Sequence, residues 1–193
     1  MEPKKMVVMF DLDGVLADFY SGYRSVQERM GKTVTTSTVW DDYWDKDVWQ
    51  EIKNSQFWAT LHPLVNEDTF KRINGLNAYA DVYFVTSRGG VNVKSQTSAW
   101  LQQHGIDSPS VIISSQKGEV AKAINADYSI EDKAGNACYI AYHAPRCRSY
   151  LLDGDGIRQD RCNNRFESAV LGRSVKRVEN VEGYLQEIEN AKR

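Results

Sequence analysis

Four polar clusters each follow a short apolar run in this chain: Asp11-Leu12-Asp13-Gly14 after MVVMF, Thr86-Ser87-Arg88 at the end of DVYFVT, Lys117 after VIIS, and Glu131-Asp132 after YSI. Asp11, Asp13, Glu131 and Asp132 are oxygen donors. If the fold gathers them, two carboxylates at ~4 Å repel by roughly 4 kcal/mol at an effective dielectric of 20, so the cluster calls for a cation. Oxygen ligands without thiolate or imidazole select Mg²⁺, which takes one or two carboxylates and keeps room for a substrate phosphate. Lys117 would add a second positive charge. With a threonine hydroxyl and the amides of a turn, the set makes a place for a phosphoryl group.

Each cluster has an ordinary alternative. An aspartate-rich turn, a Thr-Ser pair or one lysine is commonly solvated surface, and Tyr150-Leu151-Leu152-Asp153-Gly154-Asp155-Gly156 repeats the outline of the first cluster without ordered partners after it. Neither copy is a calcium loop, because that needs Gly at its sixth position, where this chain has Leu16 or Arg158. The specificity lies in finding all four in order, each at the carboxyl end of a strand. In an open parallel sheet those ends share one edge, where ligands bind.

The elements that must position them follow from the apolar periodicity. Strands are expected at Met6 to Phe10, Asp81 to Thr86, Val111 to Ser114, Tyr128 to Ile130, Ser149 to Leu152 and Val175 to Val178. Helices are expected over Ala17 to Met30, from a cap at Asn66, over Val93 to Gln103 with Gly105 just beyond its end, over Gly118 to Asn125, near Asn136 to Tyr142, and from Val181. The alternation predicts an α/β fold with a largely parallel, Rossmann-like sheet. Residues 20–61 contain helical pieces and a TTST loop but no strand, and read as a small helical cap inserted between the catalytic segments 1–19 and 62–193.

That insertion holds a concentration of rings: Trp40, Tyr43, Trp44, Trp49, Phe57 and Trp58, with four of the chain's five tryptophans within 19 residues. Packing explains some of them. The density suggests that others face a ligand.

Composition bounds the remaining classes. With 193 residues, 26 acidic against 24 basic side chains and a net charge of -2, the chain is long enough for one core with an accessory unit and is not a globally basic nucleic-acid binder. No apolar run approaches the ~20 residues of a membrane span, and the start lacks a secretory pattern, so a cytoplasmic protein is expected. Cys138, Cys147 and Cys162 have neither disulfide-framework nor zinc-site spacing, and His62, His104 and His143 form no metal-binding pair. The segment Arg146 to Arg177, with eight basic and four acidic residues, reads as a solvated face or a surface for a polyanion.

Asp11-Leu12-Asp13-Gly14-Val15-Leu16-Ala17-Asp18, Thr86-Ser87-Arg88, Lys117 and Glu131-Asp132 resemble the four motifs of the haloacid dehalogenase-like phosphatase superfamily. Within it, DLDGVLADF, the Phe57-Trp58 pair followed by Leu61-His62-Pro63, and VTSR resemble the 5′(3′)-deoxyribonucleotidases, including phage-type members. The resemblance implies a Mg²⁺-dependent phosphomonoesterase in which Asp11 is the nucleophile and Asp13 the general acid and base. It implies metal binding by Asp11, Asp132 and the Asp13 carbonyl, with Glu131 beside the metal waters. Thr86, Ser87 and Lys117 would hold the phosphoryl oxygens, and Arg88 either joins them or closes a salt bridge at the cap. Lys122 and Lys133 are rivals of Lys117. Phe19, Trp40, Phe57 and Trp58 would form the base pocket, with Phe57 and Trp58 equally able to pack the cap on the core. One departure is Leu64-Val65-Asn66-Glu67, where the family has a Pro-Gly-Ala-like turn.

The expected partner is a small-molecule nucleotide, with no membrane, no stable nucleic-acid partner, and a homodimer left open. The competing readings are a superfamily phosphatase for a sugar phosphate or a nucleic-acid 3′-phosphate end, and a non-catalytic binding module.

Overall fold

The computed structural model describes residues 5–34, 44–152 and 174–192. Strands β1 (Met6–Phe10), β2 (Ala80–Thr86), β3 (Ser110–Ile113), β4 (Tyr128–Glu131), β5 (Arg148–Leu152) and β6 (Val175–Val178) form one parallel sheet in the order β3-β2-β1-β4-β5-β6. From β1 the chain first builds outward through β2 and β3, then returns to add β4 on the other side. The strand order therefore reverses between β1 and β4, and the crevice outside their carboxyl ends is where open α/β sheets bind ligands.

The helices are α1 (Phe19–Arg29), α2 (Lys46–Asn54), α3 (Glu67–Gly75), α4 (Val93–Gln103), α5 (Lys117–Ala123), α6 (Ala134–His143) and α7 (Val181–Ala191). Local chemistry sets their starts. Asp18, Asp45, Asn66 and Asn180 each accept a hydrogen bond from a backbone amide of the first turn of α1, α2, α3 and α7. Gly105, just past α4, has φ +86, a conformation that a side chain would strain. Two boundaries differ from expectation in ways that matter for chemistry. Lys117 is the first residue of α5 instead of lying ahead of it, and Glu131 closes β4 within the sheet instead of following it.

β1 is buried on both faces, as a central parallel strand must be. Val8 and Phe10 join one cluster with Phe70 and Ile73 of α3, Trp100 and Leu101 of α4 and Tyr184, Leu185 and Ile188 of α7, while Val7 and Met9 pack with Ala121 of α5 and Ile140 of α6. The first cluster continues through Phe19, Tyr23 and Val26 of α1, Val48 and Ile52 of α2, and Phe57 and Trp58 of a 3₁₀ turn (Phe57–Ala59). The inserted segment thus shares the core of the sheet. Trp40, Tyr43, the TTST loop, Cys162 and most of the basic segment lie outside the described residues. Cys138 and Cys147 are buried, and neither is in a disulfide. No helix among the described residues is long and apolar enough to cross a membrane.

Candidate active site

The site begins where β1 ends. Phe10 pairs with Phe84 on one side and Ile130 on the other, so Asp11, whose amide donates to the Ile130 carbonyl at 3.1 Å, emerges level with the end of β4. Gly14, at φ +83, turns the chain tightly there, and a Cβ in its place would run into the Asp132 carboxylate. The turn and the Glu131-Asp132 pair therefore need each other's shape.

Lys117 points from the start of α5 into this cluster. Its Nζ lies 2.7 Å from Asp11 Oδ1 and 2.9 Å from Glu131 Oε2, and all three side chains are buried. Burial works to lower the lysine pKa, but the charges and hydrogen bonds of Asp11 and Glu131 outweigh it and hold the ammonium above its ordinary range. Burial pushes the Glu131 carboxyl well above the usual carboxylate range, and the neighbouring Asp11 charge adds to it. The rivals Lys122 and Lys133 are exposed.

One oxygen each from Asp11, Glu131 and Asp132 lie within 4.8 Å of one another. Glu131 accepts from Lys117 and from Asn136 at 3.1 Å through Oε2, while its buried Oε1 has no hydrogen-bond partner among the described residues. Three carboxylates against one ammonium, with an orphaned buried oxygen, is a donor set that fits a hard divalent cation. Asp13 stands outside this group.

Asp13 is instead held from the β2 end. Arg88 donates to both of its oxygens, through Nε at 3.1 and 3.0 Å and Nη2 at 2.8 Å, and Thr86 Oγ1 donates to Oδ2 at 3.2 Å. Thr86, expected on the phosphate, and Arg88, for which either a phosphate contact or a salt bridge is expected, are in this structure both engaged with an aspartate. Ser87 is exposed, with its hydroxyl donating to the Ser114 carbonyl at 3.3 Å.

A cavity of about 170 Å³ joins these groups to the rings of the inserted segment. Asp11, Asp13, Thr86, Ser87, Arg88, Lys117 and Asp132 line its polar part, with Lys133 and Asn136, and Phe19, Tyr20, Trp44, Trp49 and Trp58 form an aromatic wall. Tyr20, Trp44 and Trp49 were not expected there; the ring density of the segment was the available signal, without the orientation. Phe57 does not line the cavity. It packs edge-on against Trp58 at 4.9 Å and beside Gly22 of α1. A larger hollow of about 980 Å³ lies at the opposite end of the strands, between Lys5, Tyr79, Arg146, Arg148 and Lys192. Its one lining carboxylate, Asp127, accepts from the Val7 amide, so size does not identify the site.

Residues 5–153 match the family described as "5' nucleotidase, deoxy (Pyrimidine), cytosolic type C protein". The chain belongs to this family. No curated protein sequence matches it significantly. Among solved structures, a haloacid dehalogenase-like hydrolase from Burkholderia xenovorans LB400 superposes with TM-score 0.65 at 12% identity, covering 97% of this chain and 98% of that one. A haloacid dehalogenase-superfamily hydrolase from Geobacter sulfurreducens PCA gives 0.56 at 13%, covering 97% and 96%. A family hydrolase from Deinococcus radiodurans R1, with bound phosphate and sodium, gives 0.55 at 12%, covering 96% and 94%. At such identities the likeness is one of fold. Family membership makes this chain a phosphatase of the 5′-nucleotidase family, which acts on small-molecule nucleotides, and its fold is the one seen in haloacid dehalogenase-like hydrolases.

Proposed function

We propose that this chain is a Mg²⁺-dependent phosphomonoesterase of nucleoside monophosphates, with deoxyribonucleotides as the preferred class. The observation that carries the reading is the single cavity in which Asp11, Lys117 and Asp132 face an aromatic wall, since a phosphate and a flat base joined by a sugar need both at once.

In this reading Asp11, Glu131 and Asp132 would hold Mg²⁺, which when bound would supply positive charge beside the phosphoryl oxygens. Asp11 attacks phosphorus in line; the bond to the ester oxygen breaks, and that oxygen takes a proton from Asp13. An aspartyl-phosphate on Asp11 results. Asp13, now a carboxylate, removes a proton from water, which attacks phosphorus and releases inorganic phosphate and Asp11. Lys117 supplies fixed positive charge beside the nucleophile, and Ser87 and Thr86 stand at the phosphoryl end; stabilising developing charge is the main task in such transfers. Phe19, Trp44 and Trp49 take the base, a role that Trp40, outside the described residues, would share.

Residues 20–61 form the cap in this scheme, and 1–19 with 62–193 the catalytic part. Support comes from the lack of any strand among the described residues of the insertion, and from the rings it sends into the cavity. The phosphate held by the Deinococcus relative is consistent with the reaction class.

The test is phosphate release from a panel of deoxy- and ribonucleoside 5′- and 3′-monophosphates, with sugar phosphates and a 3′-phosphorylated oligonucleotide as comparators, with Mg²⁺ and with EDTA. Turnover of deoxynucleotides with Mg²⁺, lost in Asp11→Asn, is expected. Preference for a sugar phosphate or the oligonucleotide end would move the assignment to those substrates, and no turnover of any would end it.

A further inference from the structure

Arg88 is buried at 3% exposure, and its surroundings leave it one carboxylate partner. Its guanidinium lies 5.0 Å from the centre of the Trp58 ring and 5.9 Å from that of Trp100, and Nη1 donates to Thr97 Oγ1 at 3.2 Å. The fork is thus filled on every described side by Asp13, a hydroxyl and two indoles. A cation so placed is oriented, and the thing it orients is Asp13.

Trp58 is tied to the same loop. Its Nε1 donates to the Gly89 carbonyl at 2.9 Å, and its backbone amide donates to Gln96 Oε1 at 3.1 Å. Gln96 Nε2 in turn donates to the carbonyls of Ser55 at 2.9 Å and Val91 at 3.0 Å, and the Val91 amide donates to the Lys53 carbonyl at 2.9 Å. Gly90, at φ +118, passes so close to the Lys53 backbone that no side chain fits. The end of α2 and the 3₁₀ turn are therefore bolted to the loop that carries Arg88. Trp58 borders the cavity but is only 1% exposed and also stacks with Phe19 at 5.9 Å and 17°, so little of it is left for a base.

We propose that Arg88 is the positioning residue for the leaving-group acid Asp13, and that Trp58 is the platform that fixes Arg88 and not a base-stacking side chain. The bidentate grip keeps the Asp13 carboxyl out of the Asp11, Glu131 and Asp132 group and at the cavity wall, where an ester oxygen can receive its proton. This rests on the proposed phosphatase chemistry.

The test uses two esters with the full-length protein and Mg²⁺: a deoxynucleoside 5′-monophosphate, whose alkoxide needs a proton to leave, and 4-nitrophenyl phosphate, whose phenolate does not. A general acid contributes on the order of 10²–10⁴-fold. Arg88→Met is expected to lower kcat on the nucleotide about 100-fold with KM little changed, and on the aryl ester by less than about tenfold. Asp13→Asn should show the same asymmetry, and the double variant should be no worse than Asp13→Asn alone. Equal losses on both esters, or a rise in KM as the main effect, would assign Arg88 to the phosphate and overturn the proposal. Gln96→Ala provides a milder variant should Arg88→Met not fold, with the same asymmetry at smaller size; equal loss on both esters there also counts against it. For Trp58→Leu a fall in nucleotide kcat is expected, whereas a rise in KM for the nucleotide but not for deoxyribose 5-phosphate would make Trp58 a base contact. A wild-type enzyme that hydrolyses neither ester fails at the functional reading and takes this proposal with it; one that hydrolyses both, with symmetric variants, fails here alone.

Discussion

Lys117 places its ammonium 2.7 Å from Asp11 Oδ1, both side chains being almost wholly withdrawn from water. The pair spans the crevice at which the strand order reverses, joining the end of β1 to the start of α5. Removing the lysine would take from Asp11 and Glu131 the ammonium they share. Breaking a buried ion pair in this way costs roughly 3–5 kcal/mol. Lys117→Met is therefore expected to melt well below the wild type in EDTA, and to recover part of the difference in millimolar Mg²⁺. Thermal denaturation with and without the cation checks this; equal melting of the two proteins in EDTA would argue against the charge balance described.

The orphaned Glu131 oxygen and the three clustered carboxylates predict that cation binding stabilises the fold. A ligand at 100 times its Kd adds about 2.7 kcal/mol, which for a chain of this size is a rise in Tm of about 5–10 °C. Asp132→Asn should abolish the Mg²⁺-dependent rise. Differential scanning calorimetry over a Mg²⁺ series is the measurement, and a wild-type Tm that ignores Mg²⁺ would remove these residues from metal binding.

Gly14→Ala should be harmful twice over, since the residue has φ +83 and its Cβ would meet the Asp132 carboxylate. Strain of this kind costs on the order of 1–3 kcal/mol. The variant should lose both Tm and the Mg²⁺ response. A variant with lowered Tm but an intact Mg²⁺ response would confine the role of Gly14 to the turn.

Trp49 and Phe57 should separate binding from packing. Trp49 lines the cavity and Phe57 does not, although the two rings are eight residues apart in one segment. Trp49→Ala should raise KM for the nucleotide about 10-fold or more, with base stacking worth on the order of 1–3 kcal/mol. Phe57→Ala should cost about 3–5 kcal/mol of stability with KM near wild type. Steady-state kinetics and denaturant melts on both variants decide it, and the opposite pattern would exchange their roles.

Burial pushes the Cys147 thiol from its ordinary 9.0 up to about 11. The folded chain therefore keeps its thiol protonated where the unfolded chain has begun to ionise. This contribution to stability is complete below about pH 9 and is lost as the pH rises through about 11. The stability of wild type relative to Cys147→Ala, measured by urea unfolding, should decline across that window, and a constant difference would contradict the burial effect.

Much of the positioning was legible in the chain itself, because the features involved are local. Apolar runs of four to seven residues ended by polar ones mark strands wherever they occur, and an Asn or Asp ahead of a helical stretch caps it regardless of surroundings. Hence β1, α4, β6 and the Asn66 cap stand where periodicity puts them. The gathering of Asp11, Lys117, Glu131 and Asp132 also follows from sequence order, since parallel strands align their carboxyl ends.

What tertiary structure alone decided is which partner each polar group takes. Arg88 stands 75 residues from Asp13, and nothing in either neighbourhood says that the guanidinium grips the aspartate instead of a phosphate. The same holds for the rings. Six aromatics in one segment announce a function or a core, but whether Trp49 or Phe57 meets the cavity depends on how α1 and α2 pack on the sheet, and Trp58 is turned inward by bonds to Gly89 and Gln96. Periodicity determines that a side chain is buried; contacts between distant segments determine against what.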